Sequence, residues 1–391
     1  MTSTVLIFWI CLVLVLYVYV LYPIILFACY SISQIVRDWR YLGSRQDRRV
    51  RPTKEQELPA VTLIVPAYNE ERCLSKKFAN IKAISYPRAK MEVIFVSDGS
   101  TDRTNEILSS FSDSNTQSLL LPERKGKFNA LNCAVSQSQT EFLIFSDART
   151  LCAPDAIQKL VRHFADPQIG AVCGSVELVG SAESQQTEGV YWKYESMLFL
   201  MEGRLGATVT AHGPMYALRR QCYRPLEPGD VIDDFLIPMN ARKMGYRVLY
   251  DPEAIATDFS ADSVKGEFIR RVRLAVGSFR ALSGIYSFPF SNFAGLAFLS
   301  HKLLRWILPF FLIGLFVTSL FLVNRPFYRI TFLCQLAFYL WALLGFFLRH
   351  RMQRVRYALV GYFLVSMHAA FLVGFFRYRW GQTDSTWQKV T

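Results

Sequence analysis

The chain is notable first for what it lacks. Eight cysteines are scattered over 391 residues, yet none form a CxxC pair and no His/Cys spacing fits a zinc site, so a metal-stapled or thioredoxin-like fold is excluded. No Gly-x-Gly-x-x-Gly run follows a strand, which argues against a dinucleotide cofactor. Acids are outnumbered, 31 against 44 Lys and Arg, for a net charge of +13. The first apolar block, about residues 4–30, has no charge at all. It is longer than the roughly 7–15 residues of a signal-peptide core, and it has no small-residue cleavage site, so it reads as a retained membrane helix.

The apolar residues that make up 52% of the chain are concentrated there and in three segments at about 306–323, 330–348 and 357–376. Roughly 20 apolar residues suffice to cross a bilayer as a helix. The basic residues flank these blocks: Arg37, Arg40, Arg45, Arg48, Arg49, Arg51 and Lys54 after the first, and Arg349, Arg351, Arg354 and Arg356 in "RHRMQRVRY". Such an excess marks cytoplasmic loops and anionic headgroups, so the positive charge is assigned to the lipid bilayer and nucleic acid is not expected as a partner. Five cysteines outside the apolar blocks place the soluble part in a reducing compartment. The expectation is a multi-pass protein of the plasma (inner) membrane with its globular domain in the cytoplasm. Counting spans puts the tail after Arg377 and Arg379 outside, against the charge rule. The apolar helices lack paired ionisable residues at mid-depth, which disfavours a transporter.

Between 58 and 262 short β-rich runs alternate with helical patterns: "VTLIVPAYNEE", a helix over about 70–83, "MEVIFVSDGS", a helix from about Asp102, "SLLLP", a helix from about Lys127 and "EFLIFSDA". Further strands are expected in "GAVCGSVELVG", "TVTAHGPMYALRR" and "RVLYDPEAIATD". Alternation of this kind implies an α/β domain on a parallel sheet, with ligands beyond the carboxyl ends of the strands. Polar residues gather at those ends: Tyr68, Asn69 and Glu70, then Asp98, then Asp147. Asp98 precedes Gly99 and Ser100 and taken alone is an ordinary turn residue. Asp233 and Asp234 open a helical pattern, where either could serve as a cap, but adjacent carboxylates also tune one another's proton affinity, as a general base requires. The segment 263–288 mixes basic and apolar residues at helical spacing and reads as an interfacial amphipathic helix.

The motifs "PAYNEE", "SDGSTDRT", "RKGKFNALN", "FSDA", "GPMYALRR", "IDDFLIPMNARKMGYRV" and "RRVRLAVG" occur in an order that resembles family 2 glycosyltransferases. The resemblance is to the membrane-embedded branch with cellulose, chitin, hyaluronan and poly-N-acetylglucosamine synthases. It implies a GT-A (Rossmann-like) domain over 58–262, after a membrane helix (1–32) and a basic linker (33–57), and before interfacial helices (263–300) and a membrane bundle with its tail (301–391). It implies an inverting transfer of a hexosyl or N-acetylhexosaminyl unit from a nucleotide-sugar, typically a UDP-sugar, to a growing polysaccharide. The alternatives are single transfer to a lipid or lipid-linked glycan, or an inactive scaffold that binds nucleotide-sugar.

The resemblance also implies residue roles. Pro66, Tyr68, Asn69, Glu70, Asp98 and Lys127 line the nucleotide and its phosphates. Asp147 matches the first acid of the DxD element, which holds Mg2+ or Mn2+ on the diphosphate. Asp234 is the general base beside Asp233, and Arg270 and Arg273 neutralise the leaving diphosphate. The chain departs from the pattern twice: Arg149 replaces the second DxD acid, and Leu274 replaces the Trp that stacks on the acceptor sugar. An arginine is no ligand for a hard cation. Either Asp147 holds the metal with diphosphate oxygens, water and a ligand from elsewhere, such as His212 if it is more than a structural histidine, or Arg149 itself helps neutralise the diphosphate.

Overall fold

The computed structural model describes residues 2–44, 58–111, 113–179, 182–259, 264–282, 293–348 and 358–382. Its strands are β1 (Val61–Ala67), β2 (Met91–Asp98), β3 (Thr116–Leu121), β4 (Phe142–Ser146), β5 (Leu151–Cys152), β6 (Ile169–Val179), β7 (Met215–Arg219) and β8 (Arg247–Phe259). They form one sheet in the order β3-β2-β1-β4-β7-β6-β8-β5. The globular part carries helices between them, and the membrane part adds helices at both chain ends. In chain order they are α1 (Thr2–Leu16), α2 (Tyr22–Ser44), α3 (Glu71–Ala83), α4 (Thr104–Ser110), α5 (Lys127–Gln137), α6 (Ala156–Val161), α7 (Ala182–Arg204), α8 (Asp233–Lys243), α9 (Val264–Ala281), α10 (Phe293–Ala297), α11 (Leu304–Phe321), α12 (Pro326–Leu348) and α13 (Ala358–Arg379).

The four strands nearest the amino terminus of the domain are parallel, as the alternating pattern predicts. β1, "VTLIVPA", is buried along its whole length between β2 and β4, in keeping with a continuous apolar run covered on both faces. Alternate residues feed two cores. Leu63, Val65, Val93 and Phe95 meet Phe78 and Ile81 of α3 on one face, and Ile64, Ile94 and Val96 meet Ala130, Leu131 and Ile237 on the other. Beyond β4 the sheet is mixed rather than purely parallel. β7 runs antiparallel to both β4 and β6, and β5 antiparallel to β8. The stretch "TVTAHGPMYALRR" yields a strand only from Met215. The order reverses at β1, with β2 on one side and β4 on the other, and a crevice opens at such a point above the strand ends.

Among the described residues four helices are long and apolar enough to cross a membrane: Thr2–Gly43, Phe293–Phe321, Pro326–Leu348 and Val360–Arg379. One lies at the amino end and three follow the domain, as expected, but two boundaries move. The first helix continues past residue 32 to Ser44 and so includes Arg37 and Arg40. The second begins at Phe293, inside the stretch expected to be interfacial, and so includes His301, Lys302 and Arg305. Those charges are compensated by α7: His301 meets Glu202 through Nδ1 at 2.7 Å and Glu195 through Nε2 at 3.1 Å, Arg305 pairs with Glu195, and Tyr22 donates to Glu202 at 2.7 Å. Glu195 is deeply buried, which alone would raise its pKa, but Arg305 and His301 hold it well below the usual range. The remaining basic clusters, Arg45 to Lys54 and Arg349 to Arg356, lie outside the described residues.

Helix α9, expected at the membrane interface, is clasped between the domain and the bundle. Val272, Ala275 and Phe279 are buried, Ala275 and Phe279 beside Phe235 and Met239 of α8. Against α13 the fit has no slack: a Cβ on Gly374 would stand 2.4 Å from the Cβ of Ala275. Overpacking of this kind costs about 1–3 kcal/mol. Gly374→Val is therefore expected to lower the melting temperature of the detergent-solubilised protein, and an unchanged melting curve would show that the two helices do not pack this closely.

Candidate active site

The loop after β2 is built around Asp98, which is fully buried. Its Oδ1 accepts the backbone N–H of Lys125 at 2.9 Å and its Oδ2 that of Gly126 at 2.8 Å. This folds the 123–126 segment onto Gly99, whose φ is +61° and where a Cβ would lie 2.5 Å from the backbone nitrogen of Arg124. No side chain fits such an approach, and only glycine adopts that φ freely. Asp98 thus shapes the pocket wall. The wall brings the Arg124 guanidinium over the Tyr68 ring, 3.9 Å from its centroid. Asn69, at φ 54°, accepts from the Thr101 backbone at 2.8 Å, and the Glu70 backbone donates to Thr104 at 2.8 Å, so the ends of β1 and β2 are laced together. Pro66 is buried within β1 in register with Val96, so it contributes to the strand rather than to an open surface.

The Asp98 loop delivers Lys127 as the first residue of α5. Its ammonium donates to Asp147 Oδ1 at 2.9 Å and stands 3.1 Å from Asp233 Oδ1. Burial would lower the pKa of Lys127, but Asp147 and Asp233 outweigh it and raise it. Asp147 is likewise pushed up by burial, yet Lys127 at close range holds it below its ordinary value. Neither Asp233 nor Asp234 caps α8; that position belongs to Ile232, with no side-chain cap bond. Tyr216 donates to Asp233 at 3.3 Å. Asp233 is raised chiefly by burial, and the partly buried Asp234 is lifted to about 6 by desolvation and the adjacent Asp233 charge.

Helix α9 closes the constellation from the membrane side. Burial and the neighbouring Arg270 pull Arg273 down to about 10, still charged at neutral pH, while Asp233 and Asp147 act in the opposite sense. Arg270 is held by Glu267 at 3.3 Å. Arg149 is half-exposed, with Nε 3.9 Å from Glu70 Oε1. Lys127 thus joins Asp147 and Asp233 directly, Asp234 adjoins them, and Arg149 and Arg273 stand within electrostatic reach of Asp147, with Arg270 beside Arg273. Leu274 lies instead in an apolar cluster around Phe235, Phe298 and Trp306.

His212 does not join them. Its ring is buried edge-on against Phe199, 4.3 Å between centroids, and burial followed by Lys302 lowers its pKa to about 4. Its backbone, not its ring, belongs to the loop beside Asp234, where Ala211 N–H donates to the Asp234 carbonyl at 2.8 Å. Among the described residues no three His, Cys, Asp or Glu side chains converge as a metal cage. Asp147 alone suits a cation that shares phosphate oxygens and keeps its water, as Mg2+ does when bound by one or two carboxylates. Two residues escaped the sequence reading. Asp258, buried at the end of β8, accepts from Thr150 Oγ1 at 3.4 Å, and its pKa is raised by burial and by Asp147. Lys77 is buried in α3 behind the Asp147 turn. A charge standing inside an alternating or helical apolar pattern was the available signal for both.

Residues 62–224 match the family described as Glycosyl transferase family 2. An N-acetylglucosaminyltransferase from Rhizobium meliloti is 29% identical over 277 residues, covering 66% of this chain and 61% of that protein. A poly-beta-1,6-N-acetyl-D-glucosamine synthase from Staphylococcus aureus is 26% identical over 274 residues, covering 67% and 65%. The chain thus spans under two thirds of the length of these curated relatives. The solved structure of a mannosyltransferase from Pyrobaculum calidifontis, in complex with GDP-Man and Mn2+, superposes with a TM-score of 0.62 at 22% identity, covering 92% of this chain and 98% of the other. The chain carries, at residues 62–224, a domain of glycosyl transferase family 2, and its fold is that of the GT-A glycosyltransferases.

Proposed function

We propose that the protein is a membrane-embedded inverting glycosyltransferase that moves an N-acetylhexosamine-type sugar from a nucleotide-sugar, a UDP-sugar in the first instance, to a hydroxyl of a growing polysaccharide. The observation that carries this reading is the Lys127 ammonium, bonded to Asp147 and 3.1 Å from Asp233. It joins the acid on the donor side to the acid pair on the acceptor side in one cleft. The relatives that make N-acetylglucosamine polymers support the sugar class and the polymeric product.

In this reading the nucleotide lies along the Asp98 wall, by Tyr68, Asn69 and Glu70, and the diphosphate beneath Lys127 and the α9 arginines. Asp147 would hold Mg2+ or Mn2+, and the cation would supply charge neutralisation on the diphosphate. Arg149, Arg270 and Arg273 add fixed positive charge where negative charge develops as the nucleoside diphosphate departs. Asp234 takes the proton of the acceptor hydroxyl from the opposite side, so displacement is in line and configuration inverts. A base with a pKa near 6 is both ionised and basic at neutral pH. Its height follows from burial and the Asp233 charge. Leu274, packed into an apolar cluster where its relatives' aromatic would meet a sugar face, favours a second reading, single transfer to a lipid-linked acceptor. The reading places the protein in the plasma membrane with its domain on the cytoplasmic side; what supports it is that four helices are long and apolar enough to cross a bilayer.

Radiolabelled transfer from a panel of nucleotide-sugars, with product length measured, tests the reading; a folded protein that turns over none of them would leave a binding scaffold. Asp234→Asn is expected to lower kcat by about 10²–10⁴-fold, the usual contribution of a general base, with donor KM nearly unchanged. Full turnover in that variant would remove Asp234 as the base. Because the base acts only when ionised, kcat/KM is expected to fall as pH drops through about 6, read from a pH–rate profile. Chelation with EDTA is expected to abolish transfer, and Mg2+ or Mn2+ to restore it; transfer indifferent to EDTA would leave the diphosphate to the arginines.

A further inference from the structure

Helix α3 buries one stripe against the sheet, and Lys77 stands in it with no exposure, between Leu74 and Phe78 and one turn before Ile81. Packing gives no reason for a charge there. A buried ammonium loses its hydration, and apolar replacements of similar volume are often neutral or stabilising. Its contacts suggest another reason. The Lys77 ammonium donates to Ser146 Oγ at 2.8 Å and to the Thr150 carbonyl at 2.7 Å. These acceptors are the two ends of the turn Ser146–Thr150, which carries Asp147 and Arg149. The turn closes on itself through Thr150 N–H to the Asp147 carbonyl at 3.1 Å. Docking of α3 is already provided one turn later by a neutral side chain: Asn80 donates to the Cys152 carbonyl at 2.8 Å and accepts the Cys152 N–H at 2.9 Å. Burial lowers the Lys77 pKa, opposed by the nearby Cys152, the partly buried Asp147 and the buried Asp258.

We propose that Lys77 is a positioning residue for donor binding: it clamps both ends of the 146–150 turn from beneath, so that Asp147 and Arg149 present their charges to the sugar diphosphate. This rests on the function proposed above. The clamp touches neither donor nor acceptor, so its loss weakens donor binding and leaves the chemical step largely intact.

The test uses the full-length protein in detergent with UDP-N-acetylglucosamine, or with GDP-mannose if that is the donor the wild type turns over. Lys77→Met keeps length and packing and removes the charge. The expected result is a donor KM raised about tenfold with kcat within about threefold, a split that uniform loss of folded protein does not produce. The melting temperature is expected to be unchanged or higher, and Lys77→Arg to recover part of the KM. Asn80→Ala, which loosens the same helix without touching the charge, is expected to lower the melting temperature and leave donor KM alone. A folded Lys77→Met protein with wild-type KM overturns the proposal. So does a parallel loss of kcat and stability matched by Asn80→Ala. If Lys77→Met does not fold, Ser146→Ala removes one of the two acceptors instead: a raised donor KM upholds the clamp, and an unchanged one overturns it. A wild type that turns over no nucleotide-sugar defeats the functional reading itself, an outcome separate from any of these.

Discussion

One ammonium shared by two acids organises the cleft. Without Lys127, the carboxylates of Asp147, Asp233 and Asp234 would crowd a water-poor space with nothing between them. Unit charges 4 Å apart interact by about 4 kcal/mol at an effective dielectric near 20, so an uncompensated trio would protonate or splay. The lysine prevents this only because its own position is fixed. It is the first residue of α5, directly after a loop whose two amides are held by Asp98. A turn acid at the end of one strand therefore sets the electrostatics at the end of another. Asp147 is kept ionised by Lys127, while Asp234, one residue beyond the shared partner Asp233, is lifted to about 6.

Sheet order explains why these groups converge. β1 is flanked by β2 and β4, so the segments leaving those strands open toward the same edge and must part around whatever lies there. The antiparallel insertion of β7 then returns the chain to that edge, bringing the loop before it against the carbonyl of Asp234. Helix α9 supplies the last side, and it is gripped by both α8 and α13. Its arginines are consequently fixed to the domain and to the bundle together.

Much of this was legible in the chain. The four parallel strands announced themselves as apolar runs ending in polar residues, with Asp98 and Asp147 where such runs stop and Asp233 and Asp234 opening a helical pattern. The reversed strands were not legible, because β7 carries the same β-rich composition whichever way it runs and β5 is only two residues long, so direction is decided by tertiary pairing. His212 was a ligand candidate only if more than a structural histidine, and its ring packs edge-on against Phe199 as a structural one does. Lys77 and Asp258 stand as charges in patterns whose period says core, a signal present in the sequence, but only the structure shows that both stay buried there. The extents of the membrane helices shifted because Arg37, His301 and Arg305 find partners on α7, which no local window of hydropathy can register.

That compensation across α7 bears on how the protein can be dissected. Glu195 and Glu202 belong to the domain in sequence, but the cations and hydroxyl that satisfy them, His301, Arg305 and Tyr22, belong to the segments that enter the bilayer. Excising those segments to obtain a water-soluble catalytic fragment would strand two carboxylates in an apolar setting. The wound would open directly under Phe199 and the loop beside Asp234. The boundary between membrane anchor and enzyme is thus one of amino-acid numbering only: electrostatically the two are a single body.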